Sequence, residues 1–163
     1  MPKQKPGLSK QDYPTPPEFL QAVKQLLQIS AFNIDLAASW ENNTAYRFYD
    51  EAYDSLKKEG DWISTGWNWL NPPYANIKLW VEKACRESLV GAKVAVLIPA
   101  STGSNWWRDW VHEKATVYLL NGRITFVGHT APYPKDCALL LYSRDDCFDL
   151  PWYVVWSWVK DAK

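Results

Sequence analysis

Val94-Ala95-Val96-Leu97-Ile98 is a continuous apolar run. A strand with one wet face alternates apolar and polar residues, whereas an unbroken run marks a strand buried on both faces of a parallel sheet. Such a sheet needs helices on each side, and the chain supplies candidates. Thr15-Pro16-Pro17-Glu18 predicts a helix start, with Thr15 as N-cap, prolines tolerated in the first turn and Glu18 at capping-box spacing. Phe19, Val23, Leu26 and Leu27 then fall on one face. A second helix is predicted over 76–89, with Ile77, Trp80, Val81 and Ala84 on one face and Gly91 ending it.

Further strands are predicted at Ala31 to Asp35, ending near Asp35, and at Trp67-Asn68-Trp69-Leu70, stopping at Asn71. Val117–Leu120 and Ile124–Val127 flank Asn121-Gly122, a hairpin pattern with Arg123 just past the turn, and Ala138 to Tyr142 is another strand. Residues 39–65 are polar and aromatic and read as a mixture of short elements. The expected architecture is a three-layer α/β fold whose mostly parallel sheet carries an antiparallel hairpin at its edge. Residues 1–14, with three Lys and three Pro, read as a flexible basic arm, and 15–163 as one domain.

Charge narrows the function. The chain has 163 residues, with 18 Lys and Arg against 18 Asp and Glu. A zero balance excludes a polycation that holds nucleic acid by bulk charge, though not a local basic groove. Cys85, Cys137 and Cys147 form no CxxC pair and, with only His112 and His129 beside them, argue for free thiols and against a structural zinc. The same shortage argues against Cys/His or Ser/His hydrolysis. No apolar run approaches the roughly 18 residues of a membrane span, and no signal-peptide pattern opens the chain, so the expected place is the cytoplasm. The outlier is aromatic content: 11 Trp, nine Tyr and five Phe.

Asn71-Pro72-Pro73-Tyr74 is the sharpest motif. A rigid turn would account for the prolines, but an amide at the strand end and an aromatic two residues later suggest chemistry. An exocyclic amine such as adenine N6 is a poor nucleophile because its lone pair is delocalised into the ring. Two acceptors taking its N–H bonds would draw it toward tetrahedral geometry, and Asn71 Oδ1 with the Pro72 carbonyl has the right character. Proline fixes φ, so the carbonyl direction is set before substrate arrives. Tyr74, with Tyr13 and Trp106 or Trp107, can stack on a base rotated out of the helix.

Together these residues resemble the phage-type DNA N6-adenine methyltransferases, the small Dam-like enzymes that use S-adenosylmethionine. The resemblance covers roughly residues 9 to 142. Tyr13-Pro14-Thr15-Pro16-Pro17-Glu18 is similar to the family's N-terminal cofactor signature, and Asp35-Leu36-Ala37-Ala38 with Asn42 to its abbreviated first motif. Arg47-Phe48-Tyr49, Asp54-Ser55-Leu56, Trp62, Pro99-Ala100, Thr102, Trp106, Gly122-Arg123 and Phe126 follow in order.

The resemblance implies a compact Rossmann-like methyltransferase fold, encoded by a phage or prophage and acting on double-stranded DNA without a metal. Tyr13, Thr15, Pro16, Asp35, Ala37, Asn42 and Asp54 would line the S-adenosylmethionine site, and Asn71, Pro72, Pro73 and Tyr74 would hold the target adenine. One departure stands out: there is no glycine between Gly7 and Gly60, where larger methyltransferases carry a glycine-rich loop. With no room for a separate target-recognition domain, DNA contacts are expected from Lys10 in the arm, the segment 101–108 with Arg108, and Arg123. Two readings stay open beside this one: methylation of a glutamine amide or an RNA adenine, and a DNA-binding protein that has lost catalysis. Oligomeric state is undetermined between monomer and weak dimer.

Overall fold

The computed structural model describes residues 13–145 and 152–162. Lys10, Cys147 and the first 12 residues of the expected arm lie outside them, while Tyr13 and Pro14 belong to the packed fold. In chain order the elements are α1 (Pro17–Leu27), β1 (Ile34–Asp35), β2 (Arg47–Phe48), β3 (Trp67–Leu70), α2 (Ile77–Leu89), β4 (Lys93–Pro99), α3 (Asn105–Trp110), β5 (Thr116–Leu120), β6 (Cys137–Tyr142) and β7 (Tyr153–Trp156). Short 3-10 turns occupy Tyr74–Asn76 and Trp158–Lys160.

β4 is the middle strand of the sheet, whose order is β2-β1-β3-β4-β6-β5-β7. Its side chains alternate between two apolar layers. Val94, Val96 and Ile98 pack with Trp80, Val81 and Ala84 of α2 and Trp107 of α3. Ala95 and Leu97 face the other way, toward Phe19, Ala22 and Val23 of α1 and toward Trp156 and Trp158. Burial on both faces is what an unbroken apolar run requires, and it is met by helices on each side. β1, β2, β3 and β4 run parallel, as do β5 and β7; β6 alone is reversed, pairing antiparallel with β4 and β5.

The expected edge hairpin does not form. Val117–Leu120 lies in β5, but Ile124–Val127 is not a strand, and the reversed strand sits inside the sheet. Both edges of β5 are already taken, Val117 by Leu140 of β6 and Tyr118 by Val154 of β7. The turn itself exists: Gly122 adopts φ 114°, a left-handed conformation suited to glycine. A Cβ there would come within 3.2 Å of Trp158 Nε1, whose N–H donates to the Gly122 carbonyl. Beyond it the chain leaves the sheet and lays Ile124 and Phe126 onto the α1-side core, with Thr125 and Val127 outward. The alternation is real, but it covers a face instead of pairing an edge.

Thr15 is not the cap of α1 either. The N-cap is Pro16, with no side-chain hydrogen bond. The tryptophans divide by role. Trp62, Trp69, Trp107, Trp156 and Trp158 are core residues, and the indole N–H groups of Trp62, Trp156 and Trp158 donate to Ser55, Asp161 and Gly122. Trp107 is therefore unavailable to a base. Cys85 and Cys137 are buried free thiols. Among the described residues no helix is long and apolar enough to cross a membrane, and no group of His, Cys, Asp and Glu could hold a metal ion.

Ile124 is fully buried and Thr125 exposed. Ile124→Ala should therefore lower the unfolding free energy by about 2–4 kcal/mol, and Thr125→Ala by less than about 0.5 kcal/mol, in urea titrations. Equal effects at the two positions would contradict the packing of this segment.

Candidate functional site

β1 lies between β2 and β3, so the chain leaves β1 for one side of the sheet and returns on the other. A crevice opens at the carboxyl ends of strands where the order reverses in this way. Asp35 ends β1, opposite Trp69 of β3, and Asn71 follows β3 directly. Two sequence-predicted residues 36 positions apart in the chain are thus brought to one rim.

Asp35 is nearly fully buried. Its Oδ2 accepts hydrogen bonds from the backbone N–H and the hydroxyl of Thr44, both at 2.9 Å, and Oδ1 accepts a long one from Ala37 N–H at 3.4 Å. The carboxylate therefore closes the loop that forms the cavity wall. That loop explains the missing glycine. No residue from 29 to 53 has a positive φ, so the turn uses no left-handed conformation that only glycine would take comfortably. Asp54 does adopt a left-handed backbone, φ 52°, which aspartate tolerates better than most residues.

A cavity of about 520 Å³ fills the crevice. Of the residues singled out from the sequence, Tyr13, Thr15, Asp35, Ala37, Asn42, Asp54, Asn71 and Pro73 line it. Pro16 and Pro72 are buried and do not line it, and Tyr74 faces a second recess. The wall also contains residues to which the sequence reading assigned no role in the site: Glu41, Tyr49, Asp50, Glu51, Trp69 and Trp80. Three of these are acidic, all within the aromatic and polar stretch whose elements were unreadable. With Asp35 and Asp54, five carboxylates line the cavity among the described residues, and none of the described Lys, Arg or His does. The density of Asp and Glu over 41–54 is the signal that could have found them.

Asn71 is held by the N-terminal segment. Its Nδ2 donates to the Tyr13 carbonyl at 2.8 Å and to Thr15 Oγ1 at 3.1 Å. Both N–H bonds are used, so the amide cannot flip without losing two partners, and Oδ1 is turned the other way. The Tyr74 hydroxyl donates to Oδ1 at 3.1 Å. An amide oxygen has two lone pairs, so a second donor can still be accepted there. Thr15 thus acts on the amide instead of capping α1.

Tyr74 lies nearly parallel to Tyr13, ring centroids 5.8 Å apart at 18°, and edge-on to Tyr133. Burial pushes its phenol well above the usual tyrosine range, so it remains a donor at neutral pH. Arg108 and Arg123 are exposed and paired with carboxylates, Arg108 to Asp109 at 2.8 Å and Arg123 to Asp136 at 3.1 Å.

Fold and site define a class: a mixed α/β protein, compatible with a methyltransferase-like fold, with a cavity at the carboxyl ends of its parallel strands. A sequence profile of the DNA N-6-adenine-methyltransferase (Dam) family matches residues 4–144. The chain belongs to that family. It is 27% identical over 111 residues to the DNA N-6-adenine-methyltransferase of Escherichia phage T1, covering 59% of this chain and 46% of that protein. It is 30% identical over 100 residues to the DNA N-6-adenine-methyltransferase of Haemophilus phage HP1, covering 60% and 56% respectively. The chain spans about half the length of the curated relatives it matches.

Burial raises the Asp35 carboxyl above its usual value, against the lowering effect of the Thr44 and Ala37 hydrogen bonds. The folded chain then binds this proton more tightly than the unfolded one. Asp35's contribution to stability is fully present below the unfolded value and is lost as pH rises through the folded one. The stability of wild type minus that of Asp35→Asn should therefore fall as pH climbs above about 3.9, measured by urea unfolding across a pH series. A flat difference would show that burial does not dominate at Asp35.

Proposed function

We propose that this chain transfers a methyl group from S-adenosylmethionine to N6 of adenine in double-stranded DNA, with the target base rotated out of the helix and held at Asn71-Pro72-Pro73-Tyr74. The sheet is then the core of a compact Rossmann-like methyltransferase, and the protein acts on DNA inside the host cell of a phage or prophage.

The observation that carries this reading is the hydrogen-bond state of Asn71. Its two N–H bonds are spent on Tyr13 and Thr15, so toward a ligand the side chain offers only an acceptor. An acceptor is what an adenine amino group requires, and a site that can only accept discriminates against a ring carbonyl at the same position. The Pro72 carbonyl is the second acceptor in this reading, its direction restricted by two consecutive prolines. Drawing both N6–H bonds to fixed oxygens orients the nitrogen lone pair toward the cavity. No general base is needed to start the reaction in this reading.

The cavity suits the cofactor by charge and by size. S-adenosylmethionine carries a sulfonium and an ammonium, and among the described residues the wall carries five carboxylates and no cation. A volume of about 520 Å³ is within the range of small-molecule sites. Asn42 and Asp54, together with Glu41, Asp50 and Glu51, would hold it, and Asp35 and Ala37 would shape the wall behind it. When bound, the cofactor supplies an electrophilic methyl group. The acidic wall also repels DNA phosphates, so a single neutral base, and not the strand backbone, is admitted to the rim.

Calorimetry with S-adenosylmethionine, followed by incubation of labelled cofactor with duplex DNA, RNA or protein and digestion to nucleosides, tests the proposal. Heat of binding and label in N6-methyladenine of DNA are expected. Label elsewhere would overturn the substrate, and absence of binding would leave a DNA-binding protein without catalysis. Asn71→Ala should abolish turnover while leaving cofactor affinity within a few-fold.

Thr15→Val removes the acceptor for one Asn71 N–H, and kcat should fall about tenfold, equivalent to about 1.4 kcal/mol, with Thr15→Ser restoring it. A loss of cofactor affinity at unchanged kcat would instead place Thr15 on the cofactor and not on the amide.

A further inference from the structure

The turn that carries Asn71 is a wall between two recesses of opposite charge. On its far side lies a groove of about 370 Å³, bounded by Tyr74, Trp106 and Tyr133, with Lys78 from the start of α2 and Lys135 from the loop before β6. Among the described residues no Asp or Glu lines this groove, whereas five line the cavity behind the wall. Both lysines are exposed, and neither is within ion-pair distance of a carboxylate among the described residues.

The nearby arginines differ. Asp109, the acid beside Lys78, is engaged by Arg108, and Asp136, the neighbour of Lys135, by Arg123. The local acids are thus matched to the guanidinium groups, and the lysine charges are what the groove presents to a ligand. Aromatic walls and flanking cations are the combination that takes an unpaired base with phosphates on either side of it.

Resting on the reading of the chain as a DNA methyltransferase, we propose that Lys78 and Lys135, and not Arg108 and Arg123, hold the DNA backbone. In this arrangement the groove walled by Tyr74, Trp106 and Tyr133 receives the distorted strand at the target base. Lys78 and Lys135 each neutralise one phosphate as that strand passes the mouth of the groove. The zero net charge of the chain is no obstacle, because five of the acids line the other recess and the two beside this groove, Asp109 and Asp136, are paired with arginine.

The test is duplex binding by fluorescence anisotropy across a salt series, with a mixed-sequence adenine-containing duplex and saturating S-adenosylmethionine. For Lys78→Ala/Lys135→Ala the slope of log K against log salt should flatten by nearly two, about 0.9 per lost phosphate contact. Affinity at low salt should fall at least about tenfold, with cofactor affinity by calorimetry unchanged within twofold. Arg108→Ala/Arg123→Ala should leave the slope within about half a unit, and Lys78→Arg/Lys135→Arg should keep it whole. A DNA-binding wild type whose slope survives loss of both lysines, or falls more with loss of both arginines, overturns the backbone grip alone. A wild type that binds cofactor but not duplex overturns the grip together with the DNA substrate.

Discussion

A strand with apolar side chains on both faces must be covered on both, and β4 imposes that requirement on the whole chain. Val94, Val96 and Ile98 demand one helical layer; Ala95 and Leu97 demand another. β3 lies parallel to β4, with Trp67 and Trp69 in the α1-side core and Leu70 in the α2-side core. Asn68, fully buried between them, donates to the Trp62 carbonyl and accepts from Ser64, so the polar residue in this strand is satisfied. Because β3 is clamped on both faces and both edges, the residue that follows it has a fixed starting point. Asn71 is placed by the core before any site residue touches it.

The site then depends on two long-range closures. Asp35 pulls Thr44 back across nine residues, and the Tyr13–Thr15 segment reaches Asn71 across more than 55. The first shapes a cavity wall without glycine, and the second sets which end of an amide faces the ligand. Neither works through a strong bond. Their effect comes from removing alternatives: an amide with both N–H groups engaged can act only as an acceptor.

Charge separation follows from the same geometry. Equal numbers of acids and bases say nothing about where each is gathered. The loop after β1 and the turns before β3 bring their carboxylates to one side of the Asn-Pro-Pro-Tyr wall. The start of α2 and the loop before β6 bring lysines to the other. A neutral chain can therefore present an acidic cavity and a basic groove a few residues apart.

What could be read from the sequence was whatever a short window of residues decides. The run at Val94 announces double burial, the spacing of Ile77, Trp80, Val81 and Ala84 announces a helix face, and Asn71-Pro72-Pro73-Tyr74 announces a rigid stop. The positions of Asp35 and Asn71 at strand ends followed from the same local patterns.

The hairpin after Gly122 was misread because alternation reveals which side chains are buried but not against what. With β6 and β7 on both edges of β5, Ile124 and Phe126 could be buried only by covering a face. Thr15 looked like a cap because capping spacing is local, while its actual partner, Asn71, is remote. Trp107 looked available for stacking until α3 turned it into the core. The sequence by itself determined the apolar periodicities and the chemistry of the motif, since these depend on neighbours along the chain. Tertiary structure alone decided which acids share a cavity, which cations stay unpaired and which way the Asn71 amide points, because each depends on groups that meet only when distant segments pack.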